Sequence, residues 1–421
     1  MGFTPPKIPR ARWILHFQAQ FWRSLMSIGM LLHKLAPPRP PHADWTQQVP
    51  STISGKPGII TLHFYVPHSY ASQKALYANK PMRELGDQIR RRSNSGRRWG
   101  NYPVVINFHG GGFTLGHATD DARWCGTVVD ECNAVVVSVD YRLAPECPFP
   151  TPIEDGADAV LWVHEHAEEL GIDKDNIALS GFSSGGNMAF TVPLRLYDEL
   201  TGFKRDYDSD SDQGSPGTRP YRDSSPNLSQ TPRNNNDHRR KHLPDVKIRC
   251  IVPWYPSTDY TRTREQRRAT CARKDQELPA LFTDLFDESY LHPPQKVNLD
   301  SPYLSPGVAP TDLLTHALPN DIILHTCEWD MLLDEGEAFR KRLVEDCNKT
   351  VYYKLIPGVP HGWDKAPNPW KPTPGVREHY LRACKEMRNL FGATPGVGMS
   401  AEHQTPEGPS AAPRGSVQVV R

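Results

Sequence analysis

The residues best placed to do chemistry fall in one short stretch, Gly181-Phe182-Ser183-Ser184-Gly185. An apolar run, Ile177-Ala178-Leu179, reads as a buried strand before it, and a helical pattern follows from about Gly185. A strand that turns sharply into a helix strains its middle residue and pushes that side chain out of the fold. Gly181 and Gly185 flank the turn because a Cβ there would collide across it. The helix start aims free N–H groups at charge developing beside Ser183. This is a setting for a nucleophilic serine. By composition alone such a pattern arises by chance roughly one time in ten in a chain this long, so the serine needs partners.

A serine hydroxyl attacks only when a base takes its proton, and the base needs a carboxylate to orient it. Ile322–Cys327 reads as a buried strand, and Asp330 follows it in a loop. Asp334 is the rival, but it suits the N-cap of the next helix, a role worth about 1 kcal/mol; Asp330 is the choice. Val351–Ile356 is the next strand, and the loop Pro357-Gly-Val-Pro-His361-Gly-Trp follows it. Of 17 histidines, His361 alone combines a loop position, a preceding strand and a place after the carboxylate. Donors for an oxyanion come from His109-Gly110-Gly111-Gly112, directly after the strand Val104–Phe108. Gly111, Gly112 and the Ser184 N–H are the expected set, since glycine backbone approaches a ligand closely. The other reading of the glycine triplet is a flexible turn.

These residues need a scaffold. Gly58–Pro67 alternates as a strand with one buried face, and Ala134–Val139 is a β-branched run buried on both faces. Val246–Trp254 is a further strand. Helices over Pro152–Leu170, Glu335–Cys347 and Val376–Phe391 alternate with the strands, which predicts an α/β chain with a doubly wound, mostly parallel sheet. Residues 69–101 read as an exposed basic loop. Lys204–His242 and the stretch 392–421 hold too few large apolar residues to offset ordering entropy, so a disordered insertion and a disordered tail are expected. The expected division is a helical cap and linker over 1–57, a catalytic domain over 58–391, and the tail.

The balance of 49 basic and 48 acidic residues leaves a net charge of +1 and gives no reason to expect a nucleic-acid partner. The eight cysteines are scattered without metal-ligand spacing, so reduced thiols, a cytoplasmic setting and no metal are expected. No secretory signal stands out at the N-terminus, and the longest apolar run there, Ile28–Leu32, is far short of a membrane span. Residues 11–35 suit an amphipathic helix. One reading lays it over the body as part of a cap; the other lays it on a membrane surface.

Taken together, the chain resembles the hormone-sensitive-lipase-like (family IV esterase) branch of the α/β-hydrolases. The resemblance rests on His109-Gly-Gly-Gly112, Tyr141-Arg-Leu-Ala-Pro-Glu146, Gly181-Phe-Ser-Ser-Gly-Gly186, Ser301-Pro-Tyr-Leu-Ser-Pro306, Asp330–Gly336 and His361-Gly362. It implies a sheet of about eight strands with a small helical cap and no cofactor. It also implies Ser183, Asp330 and His361 as the triad, Gly111, Gly112 and Ser184 as the oxyanion hole, and structural roles for His109, Gly110, Gly181 and Gly185. The implied substrate is a small-molecule ester of small to medium acyl chain. The family usually has Asp-Ser-Ala where Phe182-Ser183-Ser184 stands here, a change that reaches the pocket or local packing and spares the nucleophile. Two alternatives stand: an amide or carrier-bound thioester hydrolase in a biosynthetic pathway, and a non-catalytic small-molecule receptor on the same scaffold.

Overall fold

A computed structural model describes residues 10–78, 101–203 and 243–392. The expected insertion at Lys204–His242 and the expected tail beyond Gly392 lie outside the described residues. Eight strands form one sheet in the order β1-β2-β4-β3-β5-β6-β7-β8. They are β1 (Trp45–Pro50), β2 (Ile59–Tyr65), β3 (Tyr102–Phe108), β4 (Val135–Asp140), β5 (Ile172–Phe182), β6 (Ile248–Trp254), β7 (Asp321–Cys327) and β8 (Thr350–Ile356). β1 and β2 run antiparallel at one edge, and the remaining pairs from β4 to β8 are parallel.

The period-2 geometry of the strands sorts their side chains into two apolar layers. Val104, Ile106 and Phe108 of β3 join Val135, Val137 and Val139 of β4 on one face. Val105 and Val136 point to the other. Both layers are covered by helices, which is why these strands read as unbroken apolar runs. On the first face lie α4 (Thr151–Glu165) and α5 (Ser184–Thr201); on the second lie α3 (Ala122–Cys132) and α10 (Val376–Phe391). α10 ends at Gly392, whose φ of 65° closes the helix in the left-handed region where glycine is at home. Of the remaining helices, α1 (Arg12–Leu35) and α7 (Ala280–Tyr290) pack together above the strand ends, and α9 (Leu333–Glu345) follows β7.

Three expectations need correcting. The sheet begins at Trp45, so the boundary placed at residue 58 falls inside it; β1 pairs with β2 along its whole length, but it has one fully buried side chain, Val49, with Trp45 half-buried on the same face, and carried no alternation to read. Residues 70–78, read as loop, form a short helix, α2 (Tyr70–Ala78), anchored by the buried Tyr70 ring. β2 is buried on both faces near its end, where His63, Phe64 and Tyr65 are all covered.

Candidate active site

Ser183 stands between β5 and α5 with φ 56° and ψ −112°, a conformation that costs a residue with a Cβ on the order of 1–3 kcal/mol. Its neighbours hold it there. The Ser183 N–H donates to the Trp254 carbonyl at 2.9 Å, and the Ser183 carbonyl accepts from Asn187 N–H at 3.0 Å. A Cβ on Gly181 would lie 2.2 Å from the Gly185 carbonyl oxygen, and one on Gly185 only 1.9 Å from that of Phe108. Backbone contact therefore dictates glycine on both sides of the serine.

The loops after β7 and β8 bring two side chains to it. His361 Nε2 lies 2.8 Å from Ser183 Oγ, and His361 Nδ1 lies 2.6 Å from an Asp330 carboxylate oxygen. The other Asp330 oxygen accepts the Leu332 N–H at 2.9 Å, so the carboxylate is fixed from both sides. An ionised carboxylate only accepts hydrogen bonds, so Nδ1 carries the proton and Nε2 turns its lone pair toward the serine hydroxyl. Asp334 does not cap α9. The helix starts at Leu333 with Leu332 at its N-cap, while Asp334 sits exposed in the first turn and pairs with Arg262. No side chain caps the helix; Asp330 accepts the N–H of Leu332 in the turn that leads into it.

The glycine loop lies against the same turn. Gly111 and Gly112 have φ of 117° and 61°. A Cβ at Gly110 would come within 3.0 Å of the Phe182 carbonyl oxygen, and one at Gly112 would enter the Phe286 ring of α7. His109 is fully buried, stacks on Tyr141 at 4.2 Å, and its Nδ1 lies 2.7 Å from the Gly110 carbonyl. Tyr141 donates its hydroxyl to the His109 carbonyl at 2.8 Å. Ser184 is buried at the head of α5. The structure thus gathers Ser183, Asp330, His361, Gly110, Gly111, Gly112, Gly181, Gly185, Ser184 and His109 at one end of the sheet.

A buried ionic network beneath the site was not legible in the sequence. Lys365 Nζ sits 3.6 Å above the Phe182 ring, 3.0 Å from Asp121 and 2.8 Å from Asp364. Asp364 also accepts the Tyr255 and Tyr380 hydroxyls, each at 2.5 Å. Burial opposes charge on Asp364, but the Lys365 ammonium and these donors prevail and hold its carboxyl below the usual range. The Tyr255 ring meets His361 edge-on at 4.9 Å. Phe182, in the place of an acidic residue, therefore seats a cation by its ring face rather than by a carboxylate. The available signal was adjacency: Trp363-Asp364-Lys365 follows His361 in the chain.

Among the described residues, all eight cysteines are free and buried. No described helix is long and apolar enough to cross a membrane.

Comparison with known proteins places this geometry in context. An alpha/beta hydrolase fold family profile matches residues 105–365. The chain is 41% identical over 257 residues to an arylesterase of Saccharolobus solfataricus, covering 61% of this chain and 66% of that protein. It is 46% identical over 96 residues to esterase LipI of Mycobacterium tuberculosis, covering 23% of this chain and 30% of the relative. Against lipase 2 of a Moraxella species it is 29% identical over 271 residues, covering 64% of this chain and 56% of the relative. The matched parts thus span 66% or less of these relatives' own lengths. A hyperthermophilic esterase from the archaeon Pyrobaculum calidifontis shares the fold with a TM-score of 0.59 at 23% identity, over 91% of this chain and 98% of that one. The chain belongs to the alpha/beta hydrolase fold family, in the branch that contains the hormone-sensitive-lipase-like esterases.

Proposed function

We propose that the protein is a serine carboxylesterase acting on esters of small to medium acyl chains, with Ser183 as nucleophile, His361 as base and Asp330 as its orienting carboxylate. The observation that carries this reading is the hydrogen-bonded line from Asp330 through His361 to Ser183 Oγ. Ser183 Oγ attacks the ester carbonyl while His361 Nε2 takes its proton. The oxyanion is met by the N–H groups of Gly111, Gly112 and Ser184. His361 returns the proton to the departing alcohol, leaving an acyl-Ser183. Water, deprotonated by His361, then releases the acid and restores the serine. The arylesterase and esterase names of the relatives support the substrate class. For acyl length, support comes from an aromatic wall beside Gly112: Phe286, Phe282 at 6.3 Å from it, and Trp22 of α1 at 4.7 Å from Phe282. Assay of purified protein on nitrophenyl esters from acetate to palmitate tests both parts. Activity is expected to peak at or below about eight carbons and to fall by roughly 10⁴–10⁶ in kcat in Ser183→Ala. A peak at palmitate would overturn the chain-length reading, and an active Ser183→Ala protein would overturn the mechanism.

We further infer that α1 rests on a lipid surface, with the protein on the cytoplasmic side; eight free thiols support a reducing compartment. α1 is anchored to the body by its basic side chains, beside the buried Leu15, Ala19 and Met30. Arg23 donates to Glu146 and to the Thr114 and Ala144 carbonyls, Arg12 reaches the Pro145 carbonyl, and Lys34 reaches Thr119. Outward lie Trp13, Phe17, Phe21, Leu25, Ile28, Leu31, Leu32 and Leu35, with Trp13 and Phe17 about 70% exposed (72% and 70%). These are eight of the fourteen exposed large hydrophobic side chains among the described residues. No Asp or Glu occurs before Asp44, which suits an anionic surface. Co-sedimentation with phosphatidylcholine–phosphatidylserine vesicles should retain the protein and release Phe17→Ser/Ile28→Ser. Equal retention of both proteins, or self-association that buries the stripe without vesicles, would contradict this.

A further inference from the structure

A second cluster of chemistry-bearing side chains lies away from the serine, where the ends of β2, β3 and β4 meet the turn after the glycine loop. His63 comes from β2, Asp140 from the last position of β4, and His117 from the residue preceding a turn of 3₁₀ helix at Ala118–Asp121. One donor atom from each of the three lies within 4.8 Å of the others. His117 Nε2 is 3.6 Å from one Asp140 oxygen, and the His63 and His117 rings meet edge-on with centroids 5.2 Å apart.

Two surrounding features suit a cation at this cluster. The first is His109. Its Nδ1 lies 2.7 Å from the Gly110 carbonyl, and its Nε2 is fully buried, has no hydrogen-bond partner, and faces the second Asp140 oxygen at 4.0 Å. A positive centre beside that carboxylate would offset the cost of leaving these polar atoms unpaired. The second is the support behind the ligands. Asp140 accepts the Ala118 N–H at 3.2 Å, and His117 Nδ1 accepts the Thr119 N–H at 3.2 Å, so metal binding at Nε2 moves the ring proton to Nδ1, where the Thr119 hydroxyl, 3.0 Å away, can accept it. The nearest cation, Lys34, is drawn toward Asp120 at 3.6 Å and Thr119 at 2.9 Å.

We propose that His63, His117 and Asp140 form a binding site for a divalent transition-metal ion, zinc being the best match, with the buried His109 Nε2 facing the same carboxylate. Two imidazoles and a carboxylate suit zinc, whose bonds to such ligands are about 2.0–2.2 Å. Tetrahedral ligands then stand about 3.3–3.5 Å apart, so the cluster closes by a small rotation of the half-exposed His117. Nitrogen donors disfavour magnesium and calcium, which take oxygen. The site holds the far end of the loop that carries Gly111 and Gly112, since His117 follows that loop and is itself a ligand. Gly116 ties the loop's two ends together: a Cβ there would lie 2.3 Å from the Gly110 carbonyl oxygen and 2.6 Å from His109 Nδ1. The metal binds independently of the esterase chemistry.

The test is zinc binding by the full-length, chelator-treated protein in competition with a chromophoric chelator. One equivalent of zinc is expected, unaffected by millimolar magnesium, with a rise in melting temperature. Cobalt(II) in its place should give the intense visible absorption of a tetrahedral site. His63→Gln and His117→Gln should each weaken binding at least tenfold while melting, metal-free, as the parent does; His117→Ser serves if a glutamine variant fails to fold. Absence of a stoichiometric equivalent, or unchanged binding in these variants, overturns the proposal. Neither result bears on Ser183, which is assayed separately by ester hydrolysis.

Discussion

Two helices of similar apolar content, α5 behind the serine and α1 over the strand ends, are used in opposite ways. α5 is buried along most of its length, from Ser184 to Leu194, because it lies on the sheet with α4 beside it. Its glycines let backbone meet backbone. α1 buries only Leu15, Ala19, Met30 and His33, and it is held by ion pairs and carbonyl contacts from its polar side. Periodicity defines a helix equally well in both cases. It does not say which face the rest of the molecule will cover, and in α1 the covered face is mixed, with Leu15, Ala19 and Met30 beside the anchoring Arg12, Arg23 and Lys34, while a long apolar stripe stays outside.

The difference can be probed from the rigid side first. Gly185→Ala forces a Cβ to within 1.9 Å of the Phe108 carbonyl oxygen, and neither backbone can yield without moving β3 or α5. The expected result is a loss of several kcal/mol of stability, or no folded protein, by denaturant unfolding; a folded variant of parental stability would mean the turn is looser than described. A middle-sized effect is expected at His325. It stacks on Trp254 at 3.9 Å, and burial, then the nearby His379 and Arg382 charges, push its pKa down to about 3. The unfolded chain takes up that proton at about pH 6.5. The His325 contribution is therefore complete above pH 6.5 and is lost as pH falls toward 3. His325→Asn should flatten part of the stability decline measured between pH 7 and 4, and an unchanged slope would mean that His325 does not stay neutral in the fold. The smallest effect belongs to α1: Phe17→Ser should alter stability by less than about 0.5 kcal/mol. A larger loss would show that the stripe is covered within the molecule.

The serine, its histidine and its carboxylate could be read in the chain because each follows a strand, buried in β5 and β7 and half-buried at the edge in β8, and buried strands announce themselves by runs such as Val135-Val136-Val137. The glycines were legible because close backbone contact admits nothing else. What escaped was everything set by distant pairings. Lys365 meets Asp121 across 244 residues (365 − 121), and no local spacing encodes that. β1 carried too few buried residues to alternate visibly, and Asp334 looked like a cap only because the true start of α9 depends on how Asp330 is held. The cluster of His63, His117 and Asp140 is scattered over three elements, so composition and spacing gave no hint of it.

The central claim is that Ser183 is activated by His361 under the hold of Asp330. Labelling of the intact protein with a fluorophosphonate, followed by mass spectrometry, tests it most directly. The account predicts one adduct on Ser183, none in Ser183→Ala, labelling slowed by about 10⁴ in Asp330→Asn, and labelling little changed in Asp334→Asn. No adduct on Ser183 in the parent protein, or equal rates for the two aspartate variants, would contradict it and favour a binding protein on a hydrolase scaffold.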